Sequence, residues 1–555
     1  SRCKLKHVVC VLLLLICGLS DEAIIKDTDN SGQLKTHKDV ITDKGLVRGF
    51  LADDGEYFAF FGIPYAGSPI GTNRFKAPVS VPSWNGTLEA TRKVICPQKG
   101  MGEEDCLVVN VFIPKQNNQL LAVIVFFHGG SYVIGSGYTS GFDPLIKQDV
   151  IVVTVNYRLG AFGFLCLGVE DAPGNAGLKD KIAALKWVQN NIKSFGGNPK
   201  EVTIYGMSAG SASVEFLILS NAAKGLFNKA IMESSSALSV FATALDPVAS
   251  AIAVGTALKF TNVTNIPELV ANYQSVPADK LSDINYDYYT TGLRDGNFGF
   301  VPCVERELKD IEPFITEAPL VLLSKGEFDK VPILFSYTKV EGLFLNSEKF
   351  YEEDYASEMN VDFADFIPYD LVFDSDVIKR RVAGNVRRFY FGNDSISKDT
   401  KLGYLEFFGD YYILYPMMKS LNLHLQKTDK PVYLFEFGFK GNMGSEELFY
   451  DDIKLAGHGD IVKHAILTKP IKTEEDQLAV DRVSTIIANF AKFSNPLPVP
   501  TATMDVAWPQ CDLSNLTYIY IKEEVKVQQN PYEERIRFWD RLYTKYQRPI
   551  TKSDQ

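Results

Sequence analysis

Histidine is scarce in this chain: six residues in 555. Any imidazole chemistry must come from His7, His37, His128, His424, His458 or His464. Long apolar runs are also lacking. The run at 8–17 is too short to span a bilayer, and no other stretch approaches the length a spanning helix needs. No linker, repeat or low-complexity tract interrupts the chain, which argues against a string of small modules. Basic charge is outnumbered, with 57 Lys and Arg against 68 Asp and Glu, for a net −11. That balance argues against nucleic acid or an anionic membrane as partner. Cysteine is sparse, and a fold this large has core enough not to depend on disulfide staples.

What is present begins with a leader pattern. Arg2, Lys4 and Lys6 precede the apolar run, and Gly18-Leu19-Ser20 follows it. This reads as a signal peptide over 1–20, with the mature chain starting near Asp21 and secretion as the expectation. The polar end at 548–555 has neither an anchor-type tail nor a retention tetrapeptide, so no membrane anchor is expected. Of the eight cysteines, five follow the leader: Cys96, Cys106, Cys166, Cys303 and Cys511. The odd number leaves at least one thiol free, and Cys166, in an apolar stretch, reads as buried and inert. Sequons at Asn85, Asn262, Asn393 and Asn515 are candidate glycan sites.

The strongest chemical signal is Gly206-Met207-Ser208-Ala209-Gly210, reached from an apolar strand at 202–205 and followed by small helix formers. A Gly-x-Ser-x-Gly turn between strand and helix is a nucleophile elbow. It lifts the serine hydroxyl above the sheet edge, beside the free N–H groups of a helix start. A serine needs a base, and the base needs an acid to orient it. With the elbow, these follow in the order serine, acid, histidine. His7, His37 and His128 precede Ser208 and drop out. His424 falls in an apolar-periodic helix over 411–427 and reads as a helix-surface side chain. His458 sits in the glycine-flanked loop Ala456-Gly457-His458-Gly459-Asp460, whereas His464 falls at a helix start and reads as solvated. His458 is therefore the expected base. The acid should follow a strand between the two. The strand at 331–336 runs into Thr338-Lys339-Val340-Glu341-Gly342, which nominates Glu341. Upstream, the continuous apolar run 121–127 ends at His128-Gly129-Gly130-Ser131, a turn suited to holding an oxyanion together with the N–H after the nucleophile.

At this point the chain resembles the type-B carboxylesterases, the cholinesterase-like branch of the α/β-hydrolases. The resemblance runs from about Gly45 to Tyr543. It rests on Phe61-Gly62-Ile63-Pro64-Tyr65-Ala66, Arg74-Phe75, Glu104-Asp105-Cys106-Leu107, Asn156-Tyr157-Arg158-Leu159-Gly160, Gly174-Asn175-Ala176-Gly177 and Phe195-Gly196-Gly197-Asn198-Pro199. It implies one α/β-hydrolase domain over 21–555, with a mostly parallel central sheet, helices on both faces and long cap insertions. It implies Ser208 as nucleophile, Glu341 as acid and His458 as base. The oxyanion donors would be the N–H groups of Gly130, Ser131 and Ala209. Ser131 stands where the family usually has a third glycine, and Ser234 matches a serine that supports the triad. Arg74 with Glu104, and Arg158 with Asp180, match ion pairs that hold loops near the site. Cys96 and Cys106 match the family's first disulfide, and the remaining cysteines do not complete its other pairs, so no other disulfide is expected.

The implied activity is secreted hydrolysis of small to medium apolar esters through an acyl-enzyme, with neither cofactor nor metal. Two other readings carry less. A catalytically inactive adhesion relative would ordinarily lack a triad residue. A cholinesterase would place an aromatic residue in the loop 97–105, and none is there. The chain most resembles insect secreted esterases, among them juvenile hormone esterases and odorant-degrading esterases. Met207 stands where the hormone esterases tend to have glutamine. Pocket walls are expected from 284–300 and 348–373.

Overall fold

The computed structural model describes residues 36–53, 55–115, 119–138, 141–344, 355–444, 453–467 and 469–550. The leader segment 1–20 lies outside them. Among the described residues, no helix is long and apolar enough to cross a membrane.

Strand order explains how distant sequence segments meet. The strands are β1 (His37–Ile41), β2 (Leu46–Leu51), β3 (Tyr57–Pro64), β4 (Thr87–Glu89), β5 (Val108–Pro114), β6 (Leu121–Phe127), β7 (Val150–Val155), β8 (Cys166–Val169), β9 (Ala172–Pro173), β10 (Gly197–Met207), β11 (Lys229–Glu233), β12 (Ile333–Thr338), β13 (Val432–Phe437), β14 (Thr517–Ile521) and β15 (Val525–Gln529). All but β8 and β9 join one sheet in the order β1-β2-β3-β5-β7-β6-β10-β11-β12-β13-β14-β15, with β4 beside β2. From β7 to β14 every pairing is parallel. The strands from β1 to β7 in that order, and the final β14–β15 pair, run antiparallel.

The parallel centre is buried on both faces, which is why its strands read as unbroken apolar runs. In β6, Val123, Val125 and Phe127 enter one core with Leu185, Val214 and Leu217. The alternate residues Ile124 and Phe126 enter the opposite core with Val483, Ile486 and Phe490. The helices Ala176–Asn191 and Ala209–Leu219 thus cover one face, and Glu474–Phe493 covers the other. Crossover connections of this kind gather the C-terminal ends of β6, β10, β11, β12 and β13 at one edge.

The helix expected over 411–427 is continuous, but its first turn, Asp410–Leu414, is π-helical before Tyr415–Lys427 becomes α-helical. His424 is not on its surface. It is fully buried, because the helix face carrying it packs against Glu215 of Ala209–Leu219.

Cys96 is bonded to Cys106. The expectation of no other disulfide is overturned, since Cys166 is bonded to Cys303. Cys166 is therefore no inert thiol. Gly174 makes room for this bond: a β-carbon there would come within 2.7 Å of both sulfurs. Among the described residues the free cysteine is the buried Cys511, whose thiol burial pushes up to about 12.

Candidate active site

Ser208 sits at the tip of β10 with φ 58° and ψ −126°, a conformation sparsely populated by any residue with a β-carbon. Holding it costs about 1–3 kcal/mol, and the surroundings must over-determine it. They do. A β-carbon on Gly206 would fall 2.1 Å from the Gly210 carbonyl, and one on Gly210 would fall 2.1 Å from that of Phe127. Strand and helix therefore close to a distance only glycine permits. The Ser208 N–H donates to the Glu233 carbonyl at 2.8 Å, locking the tip onto β11.

The turn after β12 supplies Glu341, which is 5% exposed. Its Oε1 accepts from Ser234 Oγ at 2.7 Å and from the Thr338 N–H at 2.7 Å. Its Oε2 lies 2.7 Å from His458 Nδ1. Hydrogen bonds to a charged acceptor are worth about 1.5–3 kcal/mol each, so this carboxylate is held from three sides. The histidine loop is fastened to the same turn by the Val340 N–H, which donates to the Ala456 carbonyl at 3.0 Å. Asp460 Oδ2 accepts the Gly457 N–H at 2.8 Å and closes the loop around His458.

His464 is a correction. It is fully buried, with Nδ1 2.6 Å from the Asp460 carbonyl and its ring edge-on to Phe437. Burial lowers its pKa below the ordinary value. The short helix Asp460–Ala465 turns this side chain inward to the sheet, so it is neither solvated nor in the cavity.

The oxyanion-type turn follows β6. Gly130 has φ 102°, and Ser131 and Tyr132 have φ 56° and 64°. His128 begins this turn, with its ring stacked on Tyr157 at 4.3 Å and Nδ1 2.8 Å from the Gly129 carbonyl. Burial lowers its pKa to about 3, so it is neutral at physiological pH. Tyr157 in turn donates its hydroxyl to the His128 carbonyl at 2.7 Å. Ala209 is the first residue of the helix after the elbow, where N–H groups have no intrahelical partner.

A cavity of about 120 Å³ joins these parts. Ser208, His458, Gly130 and Ser131 line it, as do Phe126, Ile134, Met207, Phe241, Phe344, Ile413 and Val462. From 284–300 come Tyr289 and Phe298. The stretch 348–373 was expected to add a wall. Its described part, 355–373, contributes none, and instead packs Phe363 and Phe366 into the core. The π-helical turn Asp410–Leu414, which the apolar periodicity did not reveal, supplies Ile413.

Two ion pairs, one part-buried and one fully buried, hold the surrounding loops. Arg74 meets Glu104 at 2.6 Å and donates to the Val276 carbonyl at 2.6 Å. Arg158 meets Asp180 at 2.7 Å and donates to the Arg74 carbonyl at 3.1 Å. Beneath the elbow lies a carboxyl that the sequence did not single out. Glu233 is fully buried and bonded to the Tyr205 hydroxyl, and it accepts the Val462 N–H at 3.1 Å. Burial, with Glu341 and Asp460 nearby, raises its pKa to about 8. Among the described residues, no group of His, Cys, Asp and Glu is arranged to hold a metal ion.

The chain is similar to known proteins. The match named "Carboxylesterase family" covers residues 36–539. Esterase FE4 of Myzus persicae is 34% identical over 79% of this chain and 81% of its own length. A juvenile hormone esterase of Tribolium castaneum is 32% identical over 83% of this chain and 84% of its own. Among solved structures, juvenile hormone esterase from Manduca sexta with OTFP covalently attached superposes with a TM-score of 0.80. It is 29% identical, covering 92% of this chain and all of that one.

Proposed function

The chain belongs to the carboxylesterase family, and from that premise we propose a secreted serine esterase acting through Ser208, His458 and Glu341. Ser208 Oγ attacks the ester carbonyl while His458 accepts its proton. Glu341 fixes the ring through Nδ1 and stabilises the imidazolium. Charge developing on the carbonyl oxygen is met by the N–H groups of Gly130, Ser131 and Ala209. His458 protonates the leaving alcohol, and water then cleaves the acyl-enzyme through the same base.

The observation that carries this reading is the contact of 2.7 Å between His458 Nδ1 and Glu341, on a loop that shares one cavity with Ser208. The largely apolar and aromatic lining supports small to medium apolar esters as substrates. Labelling with a fluorophosphonate probe tests it: the wild type should label at Ser208 and Ser208→Ala should not. Label on any other residue, or none on the wild type, would overturn the assignment, and the second result would favour a catalytically inactive relative.

The leader pattern over 1–20 and the two disulfides support secretion, since disulfides persist in oxidising compartments. Asn85, Asn262 and Asn393 are exposed and open to glycosylation, while Asn515 is half-buried with its Oδ1 bonded to Asn530. A juvenile hormone esterase is a narrower reading, which the names of the relatives support. A panel of acyl and alcohol chain lengths assayed on the secreted protein separates it from a general esterase.

A further inference from the structure

Two successive residues with β-carbons occupy left-handed backbone in the turn after β6, and they differ in what offsets the strain. Tyr132 is fully buried with its ring edge-on to Phe164 at 4.9 Å, so core packing compensates its conformation. Ser131 is half-buried, and its side chain faces the cavity. Its hydroxyl donates to the Tyr289 hydroxyl at 3.4 Å, long for a bond between hydroxyls. A glycine at 131 would avoid the strain, and the serine adds a hydroxyl to the cavity that a glycine could not supply.

Tyr289 lies in the helix Ala278–Gly292, with its ring edge-on to Phe298 at 4.8 Å. Phe241, Phe298, Phe344 and Ile413 line the same cavity as the two hydroxyls. We propose that Ser131 Oγ and Tyr289 OH form a specificity subsite. With the Ser131 proton directed at Tyr289, the Tyr289 hydroxyl donates a hydrogen bond to an ether, hydroxyl or carbonyl oxygen on the substrate, two to four bonds from the scissile carbonyl carbon. The distance follows from connectivity, because the N–H of the same Ser131 is assigned to the oxyanion. A purely aliphatic substrate would press hydrocarbon against both hydroxyls, whereas an oxygen-bearing one would accept a hydrogen bond from the pair.

This inference rests on the esterase reading above, and the experiment separates the two. Two matched substrate series are compared by kcat/KM. In one, alkoxyacetyl esters are set against alkanoyl esters of the same alcohol. In the other, alkoxyalkyl esters are set against alkyl esters of the same acid. Intrinsic reactivity cancels when each ratio is compared between wild type and variant. Ser131→Ala and Tyr289→Phe should each lower the preference for the oxygen-bearing ester by about fivefold to tenfold in one series, the scale of one hydrogen bond. The series that responds tells whether the oxygen belongs to the acyl or the alcohol side. Ratios within twofold of wild type in both series would overturn the subsite. Fluorophosphonate labelling is run in parallel. Labelled variants with unchanged ratios sink the subsite alone, and an unlabelled wild type sinks the esterase reading itself. Should Ser131→Ala not fold, Tyr289→Phe keeps the ring on Phe298 and decides the matter.

Discussion

Among the described residues, two clusters combine a serine, a histidine and a glutamate. One is Ser208, His458 and Glu341, at the open edge of the parallel sheet. The other is Ser420, His424 and Glu215, between the helices Tyr415–Lys427 and Ala209–Leu219, with all three residues fully buried. In the sealed cluster the carboxylate stands in the middle. Glu215 Oε1 is bonded to Ser420 Oγ and lies 2.9 Å from His424 Nε2, while Oε2 accepts the Ala237 N–H at 2.7 Å. Serine and histidine both spend their hydrogen bonds on the acid, and His424 Nδ1 has no hydrogen-bond partner among the described residues. In the open cluster the carboxylate stands at the end, on His458 Nδ1, which leaves Nε2 for a nucleophile. Shared residue types therefore do not imply shared chemistry. Order within the cluster and access to a cavity separate a candidate catalyst from a structural tie.

Removing the serines gives the largest contrast. Ser208→Ala should abolish labelling and lower kcat by about 10⁴-fold or more, as loss of a triad nucleophile does. Ser420→Ala should leave kcat within about threefold, because its hydroxyl is buried on Glu215 and does not line the cavity of Ser208. Ester turnover measured on both variants checks the pair, and a Ser420 variant as inactive as Ser208→Ala would erase the distinction.

Histidine variants come next. His458→Ala should cost several orders of magnitude in kcat. His464→Ala should cost less than about tenfold, the scale of a contact worth 1.4 kcal/mol. His424→Ala should spare turnover but destabilise the fold by about 1–3 kcal/mol, since it strips a partner from a buried carboxylate. Thermal melts beside kinetics would reveal a mixed outcome.

Ser234→Ala tests whether the open cluster has a fourth member. Losing the bond to Glu341 Oε1 should lower kcat about tenfold with KM little changed, because the bond orients the acid and does not touch substrate. An unchanged kcat would reduce Ser234 to packing.

Glu233 is the gentlest probe, since its carboxyl serves neither cluster directly. Its folded pKa, about 8, stands above the ordinary 4.5. Between those values the folded state keeps a proton that the unfolded chain releases, so stability falls as pH rises across this window and levels off above it. Glu233→Gln removes the titration. Its melting temperature should gain on wild type by about 2–4 °C between pH 5 and pH 8. Parallel pH dependences would show that the carboxyl is ionised throughout.

Local signals carried much of this into the sequence. The run 121–127 is β6, and the glycines around Ser208 announce a turn that only glycines allow. What stayed hidden depended on contacts between distant segments. Cys166 and Cys303 stand 137 residues apart, and nothing near either one names the other. His424 looked exposed because its partner, Glu215, is 209 residues upstream. His464 follows a loop whose fold sets the helix rotation, and six residues of spacing from His458 do not give that angle. The cavity wall was half legible: aromatic residues in 284–300 face it, while those in 355–373 found a core of their own.

The parallel pairing of β10, β11, β12 and β13 also sets a timetable. Ile231 of β11 pairs with Leu334 of β12, and Leu334 with Tyr433 of β13, so the edges of β11 and β12 each wait about a hundred residues for their neighbours. At a synthesis rate of roughly 5–20 residues per second, the elbow leaves the ribosome some tens of seconds before the histidine loop does. Through that interval the nascent chain carries Ser208 without His458, the base proposed for it. It also carries an unpaired strand edge of the kind that chaperones shield. The contact between Glu341 and His458 has to wait for the loop after β13, so under the proposed mechanism turnover would begin only once most of the chain exists.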